Sequence, residues 1–210
     1  GVAAIIVGGV MLAVREWRVE RTVSGLEEFE RGFLWLNYRR LLEELGLTDR
    51  SPLFASSSKA SGGPCMIIPL TGEVGGSWNP SGLPNRFLVY TSGFTGIRFD
   101  YPIEDFLEDI GVSGEVSVPG CETLLNNIIV SRMNAATAIR LAEPWENVFT
   151  VEVEGFEGET VDWGKMNILC IIIGLLIAEY FNKIIALKRL EALEDTVRIV
   201  YEVVERVGEA

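Results

Sequence analysis

Marking hydrophobic and polar positions along the chain picks out two strongly apolar runs. Residues 1–14, GVAAIIVGGVMLAV, contain no polar side chain and give way abruptly to REWRVER. As a helix they rise about 21 Å, less than the roughly 30 Å of a hydrocarbon layer. The chain starts on Gly1, so the run is read as the end of a transmembrane helix that begins upstream. Arg15, Trp17, Arg18 and Arg21 then fall at the membrane interface, where aromatic belts and snorkelling cations sit. A cleavable signal peptide or a buried helix is the competing reading, but no basic leader or small-residue cleavage site accompanies the run.

The second run, Ile168 to Ala178, stops after eleven residues at Glu179, with Asn182 and Lys183 following. That length suits a buried helix better than a membrane span, and Asn167 to Phe181 is expected to be a core helix. The following KIIALKRLEALEDTVRIVYEVVE reads as two strands around a Glu194-Asp195-Thr196 turn, with Val197, Ile199, Tyr201 and Val203 on one face. A continuous helix with Leu190, Leu193, Val197, Val200 and Val204 along one side is the rival pattern.

Between the two runs, Ser24 and Glu27 form a capping box that opens a helix from about Gly25 to Leu45, with Gly46 as its stop. The chain thus divides into a partial membrane segment (1–14), a linker helix (15–46) and a globular domain (47–210). Strands are expected at Cys65 to Leu70, Arg86 to Thr91 and Thr95 to Phe99, the last two joined by a tight turn. DYPIEDFLEDIG reads as a short helix with a solvated acidic face of Glu104, Asp105, Glu108 and Asp109. A longer helix is expected from Cys121 to Leu141, with Leu124, Leu125, Ile128, Ile129, Met133 and Ala136 on one side. The strand NVFTVEVEG follows, alternating Phe149, Val151 and Val153 with polar residues. No sequence repeat is visible. The order predicts an α+β domain with a mainly antiparallel sheet.

Composition narrows the chemistry. The 210 residues are 48% hydrophobic and 23% charged, and the mean hydropathy of +0.26 is high for a soluble domain. The net charge of −12 repels phosphate backbones, which argues against nucleic acid as a partner. The chain has no His, so Ser-His-Asp and Cys-His nucleophilic systems are excluded and general acid–base catalysis would fall to a carboxylate, Lys or Cys. It also lacks Gln, as thermophile proteins tend to. Cys65, Cys121 and Cys170 show no metal-ligand spacing and read as buried thiols. SSSKASGG is no phosphate loop, because Lys59 precedes the glycines instead of following them. Trp78, in GGSWNPSG, is a candidate partner-binding residue on a loop. No catalytic, cofactor-binding or metal-binding residue is assigned. Arginines at 15, 18, 21 and 31 favour a cytoplasmic domain, and no Asn-x-Ser/Thr acceptor with a non-proline centre occurs.

The C-terminal stretch from Trp163 to Val204, with its apolar helix carrying Leu169-Cys170 and its closing hairpin, resembles the vinyl-reductase-like family shared with vesicle-tethering subunits. That resemblance implies a small-molecule sensor or an assembly subunit, with an apolar channel in some members. The layout from the first apolar run through FLVYTSGFTGIRFDYPIEDFLEDIG to the final hairpin resembles archaeal membrane-anchored proteins, which implies an anchor and a domain but no activity. The leading expectation is a membrane-tethered, non-catalytic scaffold or partner-binding domain, with a protein partner or a second copy as its ligand. The alternatives are a sensor holding a small apolar ligand or lipid beside Cys170, Gly174 and Ala178, and an enzyme.

Overall fold

A computed structural model of the chain describes residues 40–71, 83, 85–90, 95–101, 116–156 and 168–204. The expected membrane segment, most of the linker helix and residues 102–111 of the expected acidic helix lie outside these residues. The chain divides into two compact units, Gly1–Thr48 and Asp49–Ala210.

Of the first unit, the described part is a helical turn over 40–44 and its termination. Gly46 takes φ 65°, its N–H reaches Glu43 O at 3.0 Å, and Leu47 N–H reaches Leu42 O at 2.8 Å. This is the paired-bond ending that a left-handed residue after a helix provides, and glycine adopts it without a Cβ penalty. Gly46 therefore acts as the stop its position suggested.

The second unit is α+β, with a single eight-stranded antiparallel sheet among the described residues. Its elements in chain order are β1 (Leu53–Ala55), β2 (Cys65–Thr71), β3 (Leu88–Tyr90), β4 (Thr95–Asp100), α1 (Val118–Leu125), a π-helical segment (Asn126–Arg132), β5 (Ala138–Trp145), β6 (Val148–Glu154), α2 (Ile168–Phe181), β7 (Ile184–Leu193) and β8 (Thr196–Val203). The strands lie in the order β3-β4-β2-β1-β7-β8-β6-β5. Each half of the chain contributes two hairpins joined through their second strands, β1-β2-β4-β3 and β5-β6-β8-β7, and the pairing of β1 with β7 fuses them. The topology repeats although the sequence does not.

The final hairpin forms as expected, with a turn at Glu194–Asp195, and it displaces the rival helix because Val197, Ile199 and Tyr201 are buried on alternate positions. The expected helix from Cys121 to Leu141 is corrected. Ser117 caps α1 by accepting from Gly120 N–H at 3.3 Å, and Pro119 sits in the first turn. Asn134 then leaves the helical region at φ 49°, and from Ala138 onwards Ile139 and Leu141 are buried at period two. The apolar stripe read through Met133 into Leu141 is thus a helix followed by a strand, and Met133 is exposed.

Helix α2 is apolar all round and almost wholly buried, from Leu169 to Ala178, against β1, β7 and β2. Among the described residues no helix is long and apolar enough to cross a membrane. Asn182 ends α2 at φ 54°, with Lys183 N–H on Ala178 O at 2.9 Å.

Helix α1 and the start of the π-helical segment guard the outer strand. The Asn126 amide donates to Ile139 O at 2.7 Å and its carbonyl accepts from Ile139 N–H at 3.0 Å, while Glu122 Oε2 accepts from Leu141 N–H at 2.7 Å. These side chains take the place of a further strand along β5. Replacing Asn126 by Ala leaves both backbone groups of Ile139 without these bonds, and a loss of about 1–3 kcal/mol is expected. The midpoint of urea unfolding measures it, and an unchanged midpoint would show that water replaces the amide at no cost.

Candidate functional site

The two faces of the sheet differ. Toward the helices, Phe54, Met66, Ile185, Tyr201 and Phe149 are buried. At the centre Phe54 stands edge-on to Tyr201 at 5.9 Å, and the Tyr201 hydroxyl donates to Cys170 O at 2.7 Å. Cys170, Gly174 and Ala178 all lie on buried α2, and a Cβ built on Gly174 would come 2.6 Å from Phe54 Cδ2 and Cε2. The space beside Gly174 is therefore taken by the Phe54 ring. Burial pushes the Cys170 thiol up to about 12, against a smaller lowering by a backbone hydrogen bond.

The opposite face changes character along the sheet. Across β1, β2 and the start of β7 it is an apolar layer of Leu53, Ala55, Cys65, Ile67, Ile184 and Ala186, joined by Ala60 and Leu83. Arg98 sits on the same face, 1% exposed, with Nε 2.7 Å from Asp100 Oδ1 and a bond to Gly63 O. Across β5, β6, β8 and the end of β7, the face carries a row of alternating charge, Arg140, Glu152, Arg198 and Glu191, at successive register positions. Arg198 reaches Glu152 at 2.7 Å, Arg140 reaches Glu154 at 3.0 Å, Lys188 reaches Glu202 at 2.8 Å, and Arg189 pairs with Glu191. Such exposed pairs add little stability each, but they leave every cation named here matched by a carboxylate.

The serine loop 56–59 is pinned to the end of α2. Ser57 donates to Glu179 through its N–H at 2.6 Å and its hydroxyl at 2.5 Å, and Ser56 donates to Asn182 Oδ1 at 3.0 Å, as does Ser58. The loop that invited an anion-cradling reading does hold a carboxylate, and it is the chain's own. Glu179 stands in the last turn of α2, where the helix dipole disfavours negative charge, and these donors offset that. The polar residues read as interruptions of the apolar run are thus a clamp.

At the free end of the β5–β6 hairpin, Trp145 is 73% exposed. It pairs with Val148 on the charged face of the sheet, with half-buried Thr150 two residues along β6 and Glu202, the partner of Lys188, across from Val148 on β8. The turn beneath it is tied down on both sides. Asn147 takes φ 67°, its N–H reaches Glu143 Oε1 at 3.3 Å, and its carbonyl accepts from Val203 N–H at 2.8 Å. Glu143 and Glu146, both exposed, stand two places before and one place after Trp145 in the chain and form no ion pair among the described residues.

Among the described residues no group of three or more Cys, Asp or Glu side chains is arranged to hold a metal. Arg15, Trp17, Arg18, Arg21 and Trp78 lie outside the described residues. Trp145 was missed in the sequence because it fell just beyond the supposed long helix. The signal was there in EPWEN, an aromatic between two acids at a Pro- and Asn-marked turn. Compared with family models, curated proteins and solved structures, the chain matches none of them.

Proposed function

We propose that this chain is a membrane-tethered, non-catalytic partner-binding protein, whose globular domain presents the β5–β6 end of its sheet to another protein. The observation that carries the reading is Trp145. A large aromatic held in the open by a hydrogen-bonded turn resembles the anchor residues that dominate protein interfaces, where Trp is enriched. Val148, its register partner, and half-buried Thr150 give it a part-apolar surround on the sheet face, edged by Glu202. The tether rests on the apolar run at 1–14 and the Arg15-to-Arg21 cluster.

The test places a photo-reactive phenylalanine analogue at position 145 of the full chain in its native membrane. A discrete protein adduct, absent when the same analogue replaces Glu154, supports the reading. Lack of any adduct from position 145, or release of the chain from membranes by alkaline carbonate, overturns the corresponding half of it.

A further inference from the structure

We infer that the β5–β6 hairpin docks an arginine-bearing cationic segment of a partner protein, with a guanidinium over the Trp145 indole and Glu143 and Glu146 as its counter-ions. The inference rests on the partner-binding reading and adds the chemistry of what is bound.

Charge matching carries it. On the charged face the cations of β5, β7 and β8 are each matched by a carboxylate, so the described part of this surface has no cation to spare for an acidic partner. The hairpin end differs. Among the described residues Glu146 makes no hydrogen bond or ion pair and Glu143 spends one oxygen on a backbone N–H, and the segment from Leu141 to Glu154 contains no Lys or Arg. Two carboxylates close in sequence to an open indole, with no counter-ion among the described residues, suit a cation that also has a flat face. Arginine meets both needs, since it stacks on aromatic rings and pairs with carboxylates through its planar fork, whereas lysine supplies only a point charge.

An exposed Trp also suits a lipid interface. The carboxylates on either side of it disfavour that, because they would meet the negative potential of an anionic leaflet. In a chain of net charge −12, a basic segment would in addition be drawn to the acidic end over a Debye length.

The test titrates the full chain into a dye-labelled decapeptide of alternating arginine and glycine, read by fluorescence anisotropy at 50 and 300 mM salt. Saturable binding is expected, weakened at least fivefold by Trp145→Ala and by the Glu143→Gln/Glu146→Gln pair, and weaker for the lysine counterpart of the peptide. Trp145→Phe, which keeps a ring, should retain part of the affinity. The indole is exposed, so these variants should fold, and circular dichroism checks that they do. Peptide binding that ignores Trp145→Ala reports diffuse attraction to an acidic protein and overturns the inference. So does Trp145-dependent binding to anionic vesicles in preference to the peptide, and so does concentration-dependent self-association abolished by Trp145→Ala. If the peptide result fails while the adduct from position 145 persists, the hairpin binds a partner of other chemistry. If both fail, the partner-binding reading fails with them.

Discussion

Replacing Phe54 by Ala is expected to cost about 3–5 kcal/mol, the range found when a large buried aromatic is removed and the surroundings close only in part. Phe54 is fully buried between α2 and Tyr201. It is also the reason residue 174 is Gly, since a Cβ there would meet the ring at 2.6 Å. Gly174→Ala alone should therefore destabilise by about 1–3 kcal/mol through overpacking. In the Phe54→Ala background the same change should be neutral or stabilising. The obstacle is then gone, and Ala is favoured over Gly inside a helix by about 1 kcal/mol. A double-mutant cycle in guanidinium unfolding reads the coupling. Additive losses would mean that the ring and the helix do not press on each other. The Phe54→Ala cavity should also take up a small apolar molecule such as benzene, as dry engineered cavities do.

Alkaline pH should have a comparable effect. Burial pushes the thiol of Cys65 up to about 12, with Arg98 opposing and Asp100 adding, and does the same for Cys170. Burial raises Cys121 further still, and holds the Tyr201 phenol well above its ordinary value, with Cys170 adding to it. The folded chain keeps these protons at pH values where the unfolded chain loses them. The stability they supply is thus complete below about pH 9 and declines above it, by about 1.4 kcal/mol per pH unit for each titrating group. For the three thiols together the loss reaches the order of 8 kcal/mol by about pH 11, comparable to the whole stability of an ordinary domain. Denaturant titrations from pH 8 to 11 should show the steep fall, and thiolate absorbance near 240 nm should appear only with unfolding. Thiolate signal growing in a chain that stays folded would contradict the burial of the cysteines.

The sequence made some elements legible because one physical signal dominated. In β6 the alternation is unbroken over Phe149 to Val153, in β8 it survives the interruption at Val200 well enough to place Val197, Ile199 and Tyr201 on one face, and the apolar run of α2 is short for a membrane span. Elsewhere two signals overlapped. Leu124 to Met133 has helical spacing and Ile139 and Leu141 fit its extension, so the break at Asn134 was hidden by a continuing run of small and apolar residues. β1 is three residues long, too short to show alternation, and its place between β2 and β7 follows from long-range pairing. The site was less legible than the fold. Gly174 could be seen as small, but not that Phe54 fills the place beside it. The exposure of Trp145 depends on β5 being an outer strand, which local pattern does not encode.

The duplicated strand order has a consequence for how copies of this chain can meet. In the first half β3 holds the place that β7 holds in the second, and β5 holds the place of β1. Because β7 and β1 already pair, β3 of one molecule and β5 of the next are related as those two are, and a join made there would leave another such pair of ends exposed. Contacts of that kind do not close into a ring of fixed size unless a rotation happens to allow it, and they grow as ribbons. The amide of Asn126 and the carboxylate of Glu122 occupy the backbone groups of Ile139 and Leu141 that such a join would need. Glu122 on α1 and Asn126 at the start of the π-helical segment thereby cap the edge at which such a join would have to form.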